Sequence, residues 1–437
     1  GSSTFGVDLI IKDQIHTKRR EVTMHGNEIL ALGLGLDAPW TISGQTLDTA
    51  KNPHELRLKL SSGRAQEYPC PVCGKSCKAH DFKDMTWRHL NFFQHHCYIQ
   101  ASVPRINCSD HGVKRIIVPW ARKGSKFTLL FEQAALILVR EMPVKPASKI
   151  IGITDKRLWR IVFHYVKTAL SKVDLSGVQA VGLDETASKR GHNYVTVFID
   201  MKRSQSPVLF AIAGKGKSTV KAFKVFLECK SGCAENIVEV VCDMSPAFLN
   251  GIKENFPKAN VTVDWFHIVQ KFVKAVNETR KREHRESPLP KGSRFAVLKG
   301  PNKPLTQQQI AALSALLEAE NETAIAWQIK ESLAWIRNAE STEQAEQRIT
   351  LFLDRASKRL DGCKFTSSVT DALKTLRKHA TQVIQRWTST YTNARMEGLN
   401  SLFQAARARA KGYRNTETFI AMIYMIASPV GAMIKST

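Results

Sequence analysis

The chain has 437 residues, and its 64 Lys and Arg against 39 Asp and Glu give a formal net charge of +25. That length predicts two to four domains, and the charge indicates a polyanionic partner, for which nucleic acid is the leading candidate. We expect a cytoplasmic protein without membrane attachment, because no apolar run approaches the roughly 20 residues of a membrane span, no signal peptide is evident, and nine unevenly spread cysteines favour a reducing compartment.

Two motifs with metal-ligand spacing dominate residues 66–122, after 65 residues whose structure the sequence leaves open. Cys70 and Cys73 enclose a two-residue gap and precede a Gly, and Cys108 and His111 repeat that arrangement. A tight turn of this kind lets two side chains reach one tetrahedral zinc ion. The spacing predicts a zinc ribbon with a hairpin between the two pairs, in which a structural Zn²⁺ has four protein ligands and no open position. Two alternatives for the fourth ligand remain open: Cys97 and His95.

Residues 123–175 have helical periodicity and contain a helix-turn-helix pattern. A helix is predicted at 127–141, followed by a short helix that ends at Gly152 and a second helix that Thr154 can N-cap. The second helix has a basic side and an apolar side, as a DNA-recognition helix does. An ordinary helical hairpin with a solvated basic face is the alternative. The candidate DNA-binding residues of this helix are Lys156, Arg157 and Arg160.

The hydrophobic period changes near residue 176, where apolar runs rich in Val, Ile and Phe predict five strands. Short links among the first three strands indicate an antiparallel meander, and helical stretches between the last three indicate parallel crossovers. We therefore expect a mixed five-stranded sheet flanked by helices. The sequence pattern of residues 269–388 predicts a mostly α-helical insertion, and a final helix is predicted to begin near Asn393. The predicted strands cover 178–184, 194–201, 208–213, 237–243 and 261–265.

Three acidic residues stand out against the basic chain. Asp184 and Asp243 each end an apolar run, and Glu397 lies in the final helix with Asn393 and Asn400 on the same face. Taken singly, a strand-end Asp is usually a turn or cap residue and a helical Glu is usually solvated. Carboxylates that converge at the open end of a sheet instead form a hard-oxygen site for Mg²⁺. Within a cationic protein, such a site favours chemistry on nucleic-acid phosphate.

Together these stretches resemble the DDE transposases of bacterial insertion sequences, in the ISL-three-type group. The resemblance covers about residues 65–425, with His111 where Cys is expected and Trp265 where Arg is usual. The matching stretches are Cys70-Pro-Val-Cys73-Gly74, Val181-Gly-Leu-Asp184-Glu185-Thr186, Val240-Val-Cys-Asp243, Ala259-Asn-Val-Thr-Val-Asp264-Trp-Phe-His267 and Thr392-Asn-Ala-Arg-Met-Glu397-Gly-Leu-Asn400.

The resemblance implies a multidomain α+β protein. A zinc ribbon and a helix-turn-helix domain are expected to precede an RNase H-like mixed α/β core that is interrupted by an all-α insertion. The implied domains are 1–65 of uncertain structure, 66–122 as zinc ribbon, 123–175 as helix-turn-helix domain, 176–268 with 389–437 as catalytic core, and 269–388 as insertion.

The resemblance also implies residue roles. Asp184, Asp243 and Glu397 match the three catalytic carboxylates, which would hold two Mg²⁺ or Mn²⁺ ions roughly 3.5–4 Å apart. Asp264, which also ends a strand, is the chief rival as a direct ligand and could act with His267. Residues expected to support the site without binding metal themselves are Glu185, Asp264, His267, Asn393 and Asn400.

The implied function is a DNA transposase that binds the ends of an insertion sequence and cuts and joins DNA strands. It would act as a homodimer that pairs two ends, in the bacterial cytoplasm and associated with the nucleoid. Two alternatives are an RNase H-like nuclease without strand transfer and a non-catalytic regulator derived from a transposase. Further candidate contacts to the DNA backbone are Lys271, Lys274, Arg280, Lys281, Arg282, Arg407, Arg409, Lys411 and Arg414.

Overall fold

The structure is a computed structural model that describes residues 26–63, 66–189, 191, 193–300, 303–389, 391 and 394–429. Asn393, one of the predicted site residues, lies outside these ranges. The chain divides into two compact units, Gly1–Ala134 and Ala135–Thr437, and the division falls inside a helix. Across the described part of the chain, no helix combines the length and the apolar character that crossing a membrane requires.

The first unit is built on one mixed sheet. Its strands follow the order β1-β2-β5-β4-β3, with β6 paired to β5. In chain order its elements are α1 (Gly26–Gly33), β1 (Trp40–Asp48), β2 (Glu55–Ser62), β3 (Glu67–Pro69), β4 (Ser76–Phe92), β5 (His95–Cys108) and β6 (Gly112–Arg115), and α2 (Leu129–Glu141) crosses the division.

The hairpin predicted between the two zinc motifs is present as the long antiparallel pair β4–β5. Strand β2 pairs in parallel with β5, so the sheet includes residues on both sides of position 65. Three tryptophans form the centre of the core: the Trp40 ring lies 4.7 Å from Trp120, and Trp120 lies 5.5 Å from Trp87, both edge-on. This aromatic cluster holds the sheet against the segment that follows β6.

The helix-turn-helix pattern is present at the start of the second unit. Helix α3 (Val144–Ile151) ends at Gly152, whose φ of +70° closes the turn, and helix α4 (Asp155–Lys172) follows. Left-handed backbone at a helix C-terminus favours Gly because it lacks a Cβ. Thr154 occupies the predicted N-cap position, but its side chain makes no capping hydrogen bond, so the expected contribution of its hydroxyl is absent.

The five predicted strands form the expected mixed sheet, in the order β11-β10-β7-β8-β9. The first three pair antiparallel, whereas β10 runs parallel to both β7 and β11. The elements are β7 (Ala180–Ala187), β8 (Tyr194–Asp200), β9 (Val208–Ala213), α5 (Lys217–Cys229), β10 (Glu239–Cys242), α6 (Pro246–Asn255) and β11 (Asn260–Val263). The apolar faces of these strands and of α5 and α6 share one core, which includes Phe198, Phe223 and Phe248.

A helical region follows β11 and has its own hydrophobic core. Its first helix starts at Trp265 and continues across position 268, so the insertion extends directly from the end of the sheet. The helices are α7 (Trp265–Glu286), α8 (Ser293–Leu298), α9 (Gln307–Glu318), α10 (Glu322–Arg337), α11 (Thr342–Arg359), α12 (Ser367–Lys378) and α13 (Ala380–Ile384). The chain then returns to the sheet with α14 (Ala394–Arg409) and α15 (Thr416–Ala427).

Candidate active site and metal centre

Two adjacent parallel strands place Asp184 and Asp243 at the same edge of the second sheet. Strand β7 contains Asp184, and Asp243 directly follows the last residue of β10. Asp184 is mostly buried, and this burial raises the pKa of its carboxyl to about 6, with the charge of Asp243 adding to the rise. Asp243 instead accepts a hydrogen bond from the backbone N–H of Ser245 at 2.9 Å. The two carboxyl groups therefore place negative charge close together at a position where burial disfavours the charged form.

Helix α14 docks on the strand that carries Asp184. The Asn400 Nδ2 amide donates to Asp184 Oδ2 at 2.7 Å, and Gln404 Nε2 donates to the Thr186 hydroxyl at 2.7 Å. One turn before Asn400, Glu397 lies on the same helix, which buries Met396 against the core. These contacts bring Glu397 to the side of the sheet where Asp184 lies, although the two residues are far apart in sequence.

His267 lies among four of the site's carboxyl groups. Its Nδ1 is 3.3 Å from Asp264 Oδ2, and Asp264 Oδ1 accepts the backbone N–H of Phe266 at 3.1 Å, which caps helix α7. The contact with the Asp264 carboxylate raises the pKa of His267, and the charges of Asp184 and Asp243 add to the rise. The pKa of Glu397 is raised by burial and by Asp264, with His267 opposing. One imidazole thus faces an excess of anionic groups, a setting that a divalent cation would neutralise.

The predicted carboxylates share this region without forming a closed cluster. Within the described residues, no three of these groups have ligand atoms that all lie within 4.8 Å of one another. Glu185, the next residue along β7, is half-buried; burial and Asp243 raise its pKa while Lys215 opposes the rise. The donor set of carboxylate oxygens fits Mg²⁺ or Mn²⁺ in kind. The spacing indicates that a cation would have to draw the three side chains closer.

The predicted zinc ligands do form a closed cluster in the first unit. The ligand atoms of Cys70, Cys73, Cys108 and His111 all lie within 4.8 Å of one another. Cys73 Sγ is 3.8 Å from Cys108 Sγ, and Cys108 Sγ is 3.6 Å from His111 Nδ1. Two thiolates bound at about 2.3 Å to one tetrahedral zinc ion lie about 3.8 Å apart, so the four side chains fit zinc.

The two alternative fourth ligands lie elsewhere in this unit. Cys97 is buried on β5, where burial raises the pKa of its thiol to about 11 and disfavours the thiolate that binds metal. His95 stacks on His54 with ring centroids 5.1 Å apart. By contrast, the pKa of Cys108 is lowered to about 6, first by the backbone N–H of Asp110 and then by His111.

Most of the predicted DNA contacts are solvent-exposed, as phosphate contacts require. On α4 the exposed residues are Lys156, Arg157 and Arg160, and on α7 they are Lys271, Lys274, Lys281 and Arg282, with Arg280 half-buried. Near the end of the chain, Arg409, Lys411 and Arg414 are exposed. Two of the predicted contacts hold the fold as well: Arg407 donates to the Ala187 carbonyl at 2.6 Å and Arg409 donates to the Glu141 carbonyl at 3.0 Å.

Sequence reasoning missed a cleft beside Asp264 and Glu397. Its volume is about 340 Å³, and Phe266, Arg337 and Arg386 are among the residues that line it. The two arginines belong to a region whose composition indicates only helices. No sequence motif connects these arginines with the carboxylates, because tertiary packing alone brings them to the sheet edge.

Comparison with known proteins agrees with this architecture. A transposase family model matches residues 181–423, more than half of the chain. The helix-turn-helix domain of transposase family ISL3 matches 116–166, and the zinc finger of the transposases IS204, IS1001, IS1096 and IS1165 matches 66–111.

Two curated relatives extend over most of the chain. The transposase for insertion sequence element IS1001 of Bordetella parapertussis is 25% identical over 383 residues, 81% of this chain and 87% of that protein. The transposase for insertion sequence element IS1557 of Mycobacterium tuberculosis (strain CDC 1551 / Oshkosh) is 23% identical over 384 residues, 81% of this chain and 84% of that protein. The chain therefore belongs to transposase family ISL3 and is a DNA transposase.

Proposed function

We infer that this transposase cuts and joins DNA strands by metal-assisted phosphoryl transfer at Asp184, Asp243 and Glu397. The observation that carries this proposal is the 2.7 Å hydrogen bond from Asn400 to Asp184, which docks the Glu397 helix on the aspartate strand. Burial that raises the pKa of Asp184 supports it further, because a buried carboxylate at neutral pH favours a cation nearby. The three side chains would hold Mg²⁺ or Mn²⁺, two ions per site.

The protein's own groups prepare the site. Bound divalent ions would supply charge that stabilises the scissile phosphate and the attacking and leaving oxygens. Asn400 and the backbone N–H of Glu185 fix the two oxygens of Asp184, so that carboxylate has one orientation. Asp264 orients His267, which offsets part of the local negative charge until metal binds. Direct attack by water, and later by a DNA 3′-hydroxyl, requires no protein nucleophile.

The exposed basic residues of α4, α7 and the segment after α14 would bind the DNA. Helix α4 is the proposed recognition helix, because Lys156, Arg157 and Arg160 are exposed while Leu158 and Ile161 are buried. The basic side chains of α7 would contact the DNA backbone close to the scissile phosphate. Binding should therefore weaken steeply as salt rises.

The remaining parts of the proposal concern zinc and assembly. The Cys70, Cys73, Cys108 and His111 cluster would bind one structural Zn²⁺, with all four positions filled by protein. A homodimer is proposed because transposition must hold two DNA ends together. Sedimentation of the protein with and without end DNA would test the dimer separately from catalysis.

A cleavage assay with purified protein tests the catalytic proposal. Asp184→Ala should abolish cutting of DNA that carries the element's ends while leaving binding to that DNA intact. The matched control is Asp371→Ala, which removes an exposed carboxylate on α12. Equal cleavage by Asp184→Ala and the parent would remove the assignment.

Two further reactions separate this function from its alternatives. Incubating a pre-cut end with target DNA should yield joined product, which a nuclease without strand transfer would not form. Binding without any cleavage by the parent, in Mg²⁺ or Mn²⁺, would instead indicate a regulator that has kept only the DNA-binding parts.

A further inference from the structure

The cleft beside Asp264 and Glu397 has a composition unlike an ordinary surface groove. Its volume is about 340 Å³, and apolar or aromatic side chains line much of it, including Val241 and Phe266. Its walls come from the end of β11, the start of α7 and the helical insertion. A concave apolar site with a few charged groups is the usual form of a ligand site.

Two arginines at the cleft have no close counter-ion. Across the described part of the chain, neither Arg337 nor Arg386 has a carboxylate oxygen within the 4.0 Å of an ion pair. Burial lowers the pKa of Arg386, Arg337 lowers it further, and Asp264 opposes this from a distance. Arg386 is half-buried, whereas Arg337 is exposed. Two guanidinium groups that repel each other favour an anion that can bind both.

The aromatic wall is held in place by Asp264, a residue of the proposed active site, and by packing of the helical insertion. Phe266 is 46% exposed, although it lies in the first turn of α7, where Asp264 accepts its backbone N–H. Next to it, Trp265 is buried and lies edge-on to Trp387 with ring centroids 6.4 Å apart. The Trp387 indole donates to the Ala339 carbonyl at 2.8 Å, which fixes the insertion against this wall. An exposed ring on a fixed support can stack on a planar ligand.

We propose that this cleft binds one unpaired nucleotide of the DNA beside the scissile phosphate. The base stacks on Phe266, and Arg337 and Arg386 bind the phosphate attached to that nucleotide. The inference rests on the proposed function, since the cleft is lined by Glu397, one of the proposed metal-binding carboxylates, and by Asp264. A nucleotide is the one component of the substrate that combines a flat apolar surface with an anion.

A simpler reading is that the two arginines only balance the charge of Asp264 and Glu397 through water. That reading accounts for the attraction between Arg386 and Asp264. It leaves unexplained why an exposed phenylalanine and an apolar wall face the same space. It also predicts that no base contacts Phe266, which makes the two readings separable by experiment.

Photocrosslinking of the full-length protein to DNA tests the proposal. The probe is a short duplex with one 5-iodouracil that is either paired or mismatched, because an unpaired base is cheaper to extrude than a paired one. After irradiation, mass spectrometry locates the crosslinked peptide. The expected crosslink is at Phe266, with several-fold higher yield from the mismatched probe. Phe266→Leu keeps apolar bulk without the ring and should lower the yield about tenfold, as losing a base stack does.

Control variants show whether the cleft itself is responsible. Arg337→Ala and Arg386→Ala should each reduce crosslinking at Phe266. Phe295→Ala removes a ring that is 60% exposed on α8 and outside the cleft, and it should leave the yield unchanged. Crosslinks confined to other peptides, or equal yields from paired and mismatched probes, would overturn the proposal.

The outcome can be told apart from that of the catalytic proposal. Crosslinking requires no DNA cutting, so Asp184→Ala should crosslink at Phe266 as the parent does. If that variant loses cleavage but neither protein crosslinks at Phe266, only the nucleotide site is refuted. If that variant still cleaves while the crosslink forms, the catalytic assignment fails and the binding site stands.

Discussion

Replacing Asp184 by Asn should stabilise the metal-free protein while it removes cleavage. Burial raises the pKa of Asp184 from an ordinary 3.8 to about 6. At 1.36 kcal/mol per pKa unit, that rise of about two units corresponds to at most about 3 kcal/mol of unfolding free energy. We expect Asp184→Asn to gain about 1–3 kcal/mol at pH 8, because the buried charge is gone.

The hydrogen bonds around this position can adapt to the amide. In the parent, the two Asp184 oxygens accept from the Glu185 backbone and from Asn400 Nδ2. Asn400 Oδ1 is buried, and among the residues that the structure describes it has no hydrogen-bond partner. If the Asn400 amide rotates by half a turn, that oxygen can accept from the new amide nitrogen. The substitution therefore keeps the number of hydrogen bonds and removes the desolvated charge.

The pH dependence has a defined sign. A carboxyl whose folded-state pKa is raised contributes stability that is fully present below its unfolded pKa and is lost as pH rises through the folded pKa. The parent should therefore lose stability relative to Asp184→Asn between about pH 4 and about pH 6, with a constant difference above that range. Urea unfolding in Mg²⁺-free buffer at several pH values measures this. The reasoning would be refuted by a variant that is less stable than the parent at pH 8. It would also be refuted if the difference in unfolding free energy between the two proteins did not change with pH.

Three other substitutions have distinct expected outcomes. Glu283→Gln should destabilise the insertion by about 2–4 kcal/mol in urea unfolding, because the buried carboxylate accepts hydrogen bonds from Asn321, Glu322 and Thr323. Cys108→Ser should reduce bound zinc below one per chain in elemental analysis, whereas Cys229→Ser, an exposed thiol outside the cluster, should not. Lys156→Ala should weaken DNA binding and reduce, by about one, the slope of the logarithm of the binding constant against the logarithm of the salt concentration. An unchanged slope would exclude a phosphate contact.

Several parts of the fold could be predicted because local patterns determine them. The apolar runs that end at Asp184 and Asp243 are buried strands, and the Gly152 position requires left-handed backbone at a helix end. The two ligand pairs of the zinc cluster follow from tight turns, which fix side-chain separation within a few residues.

Other features depend on contacts between distant residues. In strand β1 only Trp40 is buried, and the alternation of buried and exposed residues is weak around Gly44. The sequence of this segment therefore does not predict a strand. The partner of Asp184 is the amide of Asn400, and that contact exists only once α14 packs on β7. Arg337 and Arg386 reach the cleft because the insertion folds back on the sheet, which no local pattern predicts.

Metal-directed backbone cleavage tests most directly whether residues 184, 243 and 397 share a cation. Fe²⁺ can replace Mg²⁺ at oxygen sites, and with ascorbate and peroxide it generates radicals that cut nearby backbone. In the full-length protein we expect cleavage fragments that end near each of the three positions. Excess Mg²⁺ should suppress these fragments, and Asp184→Ala should not produce them. Cuts beside Asp184 and Asp243 with none near Glu397 would contradict the three-carboxylate site.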